Sequence, residues 1–216
     1  MKNMRKLIAA ILVAVCLCAC VAAAETVQSP TKPVAVVEQV ATTVPAPEGA
    51  EPFIVEPVET ELWSETAVQV FEEITLALAD PEVAPVSIFT EEEMATAAAL
   101  LPVEYDTSAL TIAEYIPMNI INYVPELGDA AVQFVLPGEY TEEDVVIAMF
   151  KPFNGDESTW VALEAKVVVA EETEAAAETT ETAEAVEITS NIEVQFTQAV
   201  LEALTANEGA LLILRG

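Results

Sequence analysis

The stretch AAVQFVLPGEYTEEDVVIAMF, residues 130–150, decides the fold. Val132, Phe134 and Leu136 alternate with Ala131, Gln133 and Val135, the period of two expected of a strand with one buried face. After the turn that follows, Val145 to Phe150 is apolar without interruption, which reads as a strand buried on both faces. Working outward, Asn154-Gly155 marks a tight turn, and Val161, Leu163, Ala165 and Val167 share one face of a strand from Trp160 to Val169. Ile192, Val194 and Phe196 alternate with Glu193 and Gln195. Thr197–Ala206 has the spacing of a short helix, and Ala210–Leu214 is a last strand. Six or so strands joined by turns, with few helices between them, predict an antiparallel β-sandwich over residues 105–216, immunoglobulin-like but without the disulfide.

Upstream the period changes. Trp63, Ala67, Val70, Phe71, Ile74, Ala77 and Leu78 recur at three and four residues, one face of an amphipathic helix that ends at Asp80-Pro81. Thr90-Glu91-Glu92-Glu93 has the form of a capping box, with Thr90 as cap and Glu93 at the third helical position; Pro102 ends this second helix. Residues 59–104 are therefore expected as a helical segment, and the chain as α+β. Residues 25–58, interrupted by Pro30, Pro33, Pro45, Pro47, Pro52 and Pro57, read as a semi-rigid acidic linker. Residues 171–185, EETEAAAETTETAEA, hold no large apolar residue and read as an exposed insertion between two strands.

The first 24 residues have the three parts of a secretory signal: Lys2, Arg5 and Lys6, an apolar run from Leu7, then small residues ending at Ala24. Ala22 and Ala24 suit a cleavage that releases the protein at Glu25. Leu17-Cys18-Ala19-Cys20 resembles a bacterial lipoprotein box, with Cys20 as the lipidated residue, although Cys18 is bulky for its position and Val21 is a poor follower. The expectation is release to the extracellular space, with a membrane-anchored lipoprotein as the alternative.

Charge excludes several functions. All 37 acids follow residue 24, against Lys32, Lys151, Lys166 and Arg215, so the mature chain carries a net charge of −33. Nucleic acid needs a basic surface and is not an expected partner. Direct contact with an anionic membrane is not expected unless Cys20 is lipidated. Cys16, Cys18 and Cys20 are the only cysteines, so a chain starting at Glu25 has neither disulfide nor thiol chemistry. The chain has no histidine, which removes His-based acid–base catalysis and most zinc sites. No phosphate loop, dinucleotide fingerprint or G-x-S-x-G motif is present.

Two acidic clusters suit calcium by ligand type: Glu139, Glu142, Glu143 and Asp144 in one turn, and Asn154, Asp156 and Glu157 in another. Neither has EF-hand spacing, and both read first as solvated acidic turns. No catalytic residue, cofactor or definite metal ligand is assigned. Trp63 and Trp160 fit core positions.

The helix ending in LLP at 100–102, the strand around GDAAVQFVLP at 128–137, LEAKV at 163–167 and the apolar C-terminal strand together resemble small acidic exported proteins of Gram-positive gut bacteria over Phe89–Leu214. The resemblance implies export and carries no activity or site residue with it. The expected function is a non-catalytic exported binding or structural module of the cell envelope or extracellular space, its partner an extracellular protein or glycan. The alternatives are a calcium-dependent carbohydrate or protein binder and a hydrolase using carboxylates alone.

Overall fold

A computed structural model describes residues 35–79, 84–103, 105–153, 159–168, 189–202 and 208–216, all within one compact unit, Lys32–Gly216. The segment 1–24 expected as a signal, with its three cysteines, the expected insertion 171–185 and the expected turn containing Asn154, Asp156 and Glu157 lie outside the described residues.

Eight strands form the body: β1 (Val36–Thr42), β2 (Ile54–Pro57), β3 (Thr111–Ile121), β4 (Ala130–Pro137), β5 (Val146–Pro152), β6 (Val161–Val168), β7 (Thr189–Phe196) and β8 (Glu208–Arg215). Among the described residues three α-helices accompany them: α1 (Glu65–Leu78), α2 (Glu91–Leu100) and the single turn α3 (Gln198–Glu202). The architecture is α+β and mostly antiparallel β-sheet. The strand order is β1-β4-β7-β6-β5-β8-β3-β2, and every neighbouring pair is antiparallel. β6 serves two arms, pairing through Val161–Glu164 with β5 and through Ala165–Val168 with β7. The terminal strands β1 and β2 approach each other, so the sheet is nearly closed.

All eight strands contribute to the interior. Val132, Phe134 and Leu136 of β4 meet Ile192, Val194 and Phe196 of β7, Ala148 and Phe150 of β5, Leu211 and Ile213 of β8, and Ile116, Met118 and Ile120 of β3. Phe150 and Phe196 pack edge to face with ring centroids 5.4 Å apart. β1 inserts Val37 and Val40, three residues apart. An alternating strand could not aim both inward, but the register shifts between Val37 and Gln39 and resets the phase.

A second apolar layer explains the uninterrupted runs. Ile147 and Met149 of β5, Ala210, Leu212 and Leu214 of β8 and Tyr115 of β3 point away from the interior and are buried under α1 and α2. These strands are apolar on both faces because each face has a cover. Ser64 caps α1 by accepting from the Ala67 N–H, and Ala67, Val70 and Ile74 form its buried stripe. The Tyr115 hydroxyl donates to the Ala67 carbonyl at 2.7 Å, and Trp63 packs edge-on against both Phe71 and Tyr115. In α2 the capping box forms as the sequence suggests. Glu93 Oε2 accepts from the Thr90 N–H, while its Oε1 accepts from the Trp160 N–H at 2.6 Å and so ties the helix start to β6.

The linker expected over 25–58 is corrected from Val36 onward, where the chain supplies β1 and β2. The prolines bracket the strands instead of interrupting them: none lies within Val36–Thr42, and Pro57 ends the edge strand β2, where a missing N–H is tolerated. Counting prolines over the whole window obscured the apolar content of VVEQVAT.

Candidate functional site

The sheet has two ends, and each gathers chemistry. At one end β3 begins and β8 finishes. The register of β3 shifts between Ile112 and Glu114, so that Glu114 sits opposite Ile213, a residue of the interior. Glu114 therefore faces inward among apolar side chains. Burial pushes its carboxyl up to about 7. Arg215 sits opposite Val146 and also faces inward, with its guanidinium 4.6 Å from the centre of the Tyr140 ring. Burial raises the Tyr140 hydroxyl to about 12; the Glu114 charge adds to this and Arg215 opposes it.

Asp144 completes this end. Its Oδ1 accepts from Arg215 Nε and Nη2, both at 2.9 Å. Its Oδ2 accepts from the Thr141 N–H at 2.6 Å and the Thr141 hydroxyl at 3.1 Å. The Thr141 N–H above all, with Arg215, holds its carboxyl below the usual range. Oδ2 thus closes the β4–β5 turn, and Oδ1 ties that turn to the end of β8. The acidic turn Glu139, Glu142, Glu143 and Asp144, suited to calcium only by ligand type, does not converge: among the described residues no group of three or more acidic side chains is placed to hold a metal ion. Ser190 links β7 to the same turn, accepting from the Tyr140 N–H at 2.9 Å and donating to the Gly138 carbonyl at 3.0 Å.

The opposite end is built by the segment between β1 and β2 and by the β3–β4 connection. After β1 the chain stays bonded to the approach of β4: the Thr43 N–H donates to the Asp129 carbonyl and the Val44 N–H to the Leu127 carbonyl, at 2.8 and 3.0 Å. An open cavity of about 270 Å³ lies between the two segments. Pro47, Ala50, Val124 and the buried Leu127 form its walls, and Glu51 and Asn122 are its polar groups. Next to Asn122, the Tyr123 hydroxyl donates to the Gly128 carbonyl; partial burial and the carboxylates of Glu202, Asp129 and Glu126 raise its pKa.

Sequence reasoning singled out Asp144 but passed over Glu114, Tyr140 and Arg215. Glu114 carries a legible signal, a lone acid in the otherwise apolar run Ile112–Ile116. Its inward aim depends on a bulge that alternation alone does not reveal. Arg215 was legible only as one of four cations after residue 24.

Comparison with protein families, with characterised proteins and with solved structures gives no match.

Proposed function

We propose that this chain is a non-catalytic exported module of the cell envelope or extracellular space, acting by binding or by structure. The observation that carries this reading is the use made of the polar groups. Asp144 has both carboxylate oxygens bound within the fold, to Thr141 and to Arg215, so its charge serves the structure. The amino-terminal signal pattern and the acidic surface supply the address, and the likeness to exported proteins of Gram-positive gut bacteria belongs to the same proposal.

At the finer level of fold, the reading favoured is a barrel-like wrap instead of an immunoglobulin-like sandwich. One ladder runs from β1 to β2, and β6 is shared between the arms.

The test of function is fractionation of the producing cell with fatty-acid labelling. Protein in the medium beginning at Glu25 supports release. Label lost in Cys20→Ala supports the anchored form. Retention in the cytoplasm overturns export in both forms. Calorimetry with and without calcium addresses the calcium-dependent alternative, because an ion that binds only the folded chain raises its melting temperature.

A hydrolase using carboxylates alone is a second reading, with Glu114 and Asp144 at the same end of the sheet as its candidate acids. Hydrolysis of a panel of neutral oligosaccharides, lost in both Glu114→Gln and Asp144→Asn while the folds persist, would establish it.

A further inference from the structure

We propose that the cavity between the β1–β2 segment and the β3–β4 connection receives a basic side chain from an extended segment of a partner protein. This rests on the reading of the chain as a binding module and names the chemistry of what it binds.

Size and lining come first. Cavities that enclose whole small ligands run from about 300 to 1,000 Å³, and this one, at about 270 Å³ and open to solvent, suits a side chain better than a metabolite. Its walls are apolar, and Val124 among them is 40% exposed, so a wettable apolar surface is presented where an aliphatic stem could lie. Lysine and arginine bury such stems while their charged heads remain at a polar rim.

Charge selects between apolar occupants. Glu51 lines the cavity, and Glu126, Asp129 and Glu202 lie close enough to the neighbouring Tyr123 to raise its pKa. The described cations are engaged elsewhere: Lys151 lies 5.7 Å from the Trp160 ring centre, Lys166 bonds Glu193 at 2.7 Å, and Arg215 bonds Asp144. An apolar concavity with Glu51 in its lining attracts a cation that also carries hydrocarbon. A neutral apolar side chain would gain nothing from Glu51, and an acidic one would be repelled.

The test uses the full mature chain and three fluorescein-labelled nonapeptides: alternating Lys and Leu, alternating Lys and Ser, and alternating Glu and Leu. Fluorescence anisotropy at about 0.15 M salt, where the screening length is about 8 Å, reads binding. The Lys/Leu peptide is expected to bind, the Lys/Ser peptide at least about tenfold more weakly, and the Glu/Leu peptide not measurably. Ala50→Trp, which fills the cavity from an exposed position, is expected to weaken Lys/Leu binding at least about tenfold with an unchanged melting temperature. Glu51→Gln is expected to weaken it about threefold. Equal affinity of wild type and Ala50→Trp for the Lys/Leu peptide would reduce the effect to diffuse polyanion attraction and overturn the proposal, as would equal binding of the Lys/Leu and Lys/Ser peptides. If native crosslinking captures an extracellular partner that Ala50→Trp retains fully, the cavity proposal falls while the binding-module reading stands.

Discussion

Replacing Glu114 by Gln should stabilise the protein at neutral pH and do nothing at acidic pH. Glu114 faces the interior opposite Ile213, and burial raises its pKa from an ordinary 4.5 to about 7. A group whose folded pKa lies above its unfolded value binds its proton more tightly in the folded state. Its favourable contribution is complete below the unfolded pKa, near 4.5, and is lost as pH rises through about 7. At roughly 1.4 kcal/mol per pH unit, the interval corresponds to an upper bound of about 3 kcal/mol. The site keeps some contact with water, so about 2 kcal/mol is the working expectation. Urea unfolding followed by tryptophan fluorescence at intervals from pH 5 to 8.5 makes the measurement in wild type and Glu114→Gln. The surface acids also weaken the fold as they ionise, but they do so equally in both proteins, and the difference between the two isolates Glu114. That difference should grow from below about 1 kcal/mol at pH 5 to about 2 kcal/mol at pH 8, in favour of the variant. A difference that stays flat with pH, or a variant less stable at pH 8, would refute the inward burial of an uncompensated carboxylate.

Glu93→Ala removes the reciprocal half of the α2 cap and the acceptor for the Trp160 N–H; a loss of about 2 kcal/mol in the same assay is expected. A methyl on Gly209 would lie 2.6 Å from the Phe150 ring and 2.8 Å from the Lys151 carbonyl, so Gly209→Ala should cost about 1–3 kcal/mol by overpacking. Added sodium chloride should raise the melting temperature, because like charges crowd the compact state and salt shortens their reach; a fall with salt would mean that the acids are specifically paired.

How much of this was legible can be argued element by element. The α2 cap was readable because Thr90 and Glu93 act locally, within one turn of helix. The doubly buried β5 was readable as an apolar run, but its cause, a helical cover on the outer face, is a tertiary fact. Strand order was not readable: β8 inserts between β3 and β5, a pairing whose partners on β3 lie about a hundred residues back. Alternation fails at both register shifts, at Val37/Gln39 and Ile112/Glu114. An extra residue flips the phase of every later side chain, so the same irregularity that hid Val40 as a core residue hid Glu114 as a buried acid. β1 and β2 were missed because prolines between strands and prolines within a spacer have the same composition.

The position of β1 also bears on the two readings of the amino terminus. With a strand beginning at Val36, a lipid on Cys20 would leave only residues 21–35 as a tether. Fifteen residues at about 3.4 Å each reach roughly 50 Å when fully extended, so an anchored form stays near its membrane instead of projecting on the long spacer that residues 25–58 suggested. The direction of β1 then matters. Val36 pairs with Val135 near the end that holds Glu114 and Tyr140, and Thr42 pairs with Ala130 at the end that holds the cavity. A tether therefore joins the body at the Glu114 end, while the Glu51 cavity opens at the far end of the strand. Anionic lipid headgroups repel a body this acidic and favour holding it off the surface. Ala50→Trp should therefore weaken binding of the Lys/Leu peptide by the same factor in a released and in a lipidated protein. A factor that differs between the two would place the membrane, instead of solvent, at the mouth of the cavity.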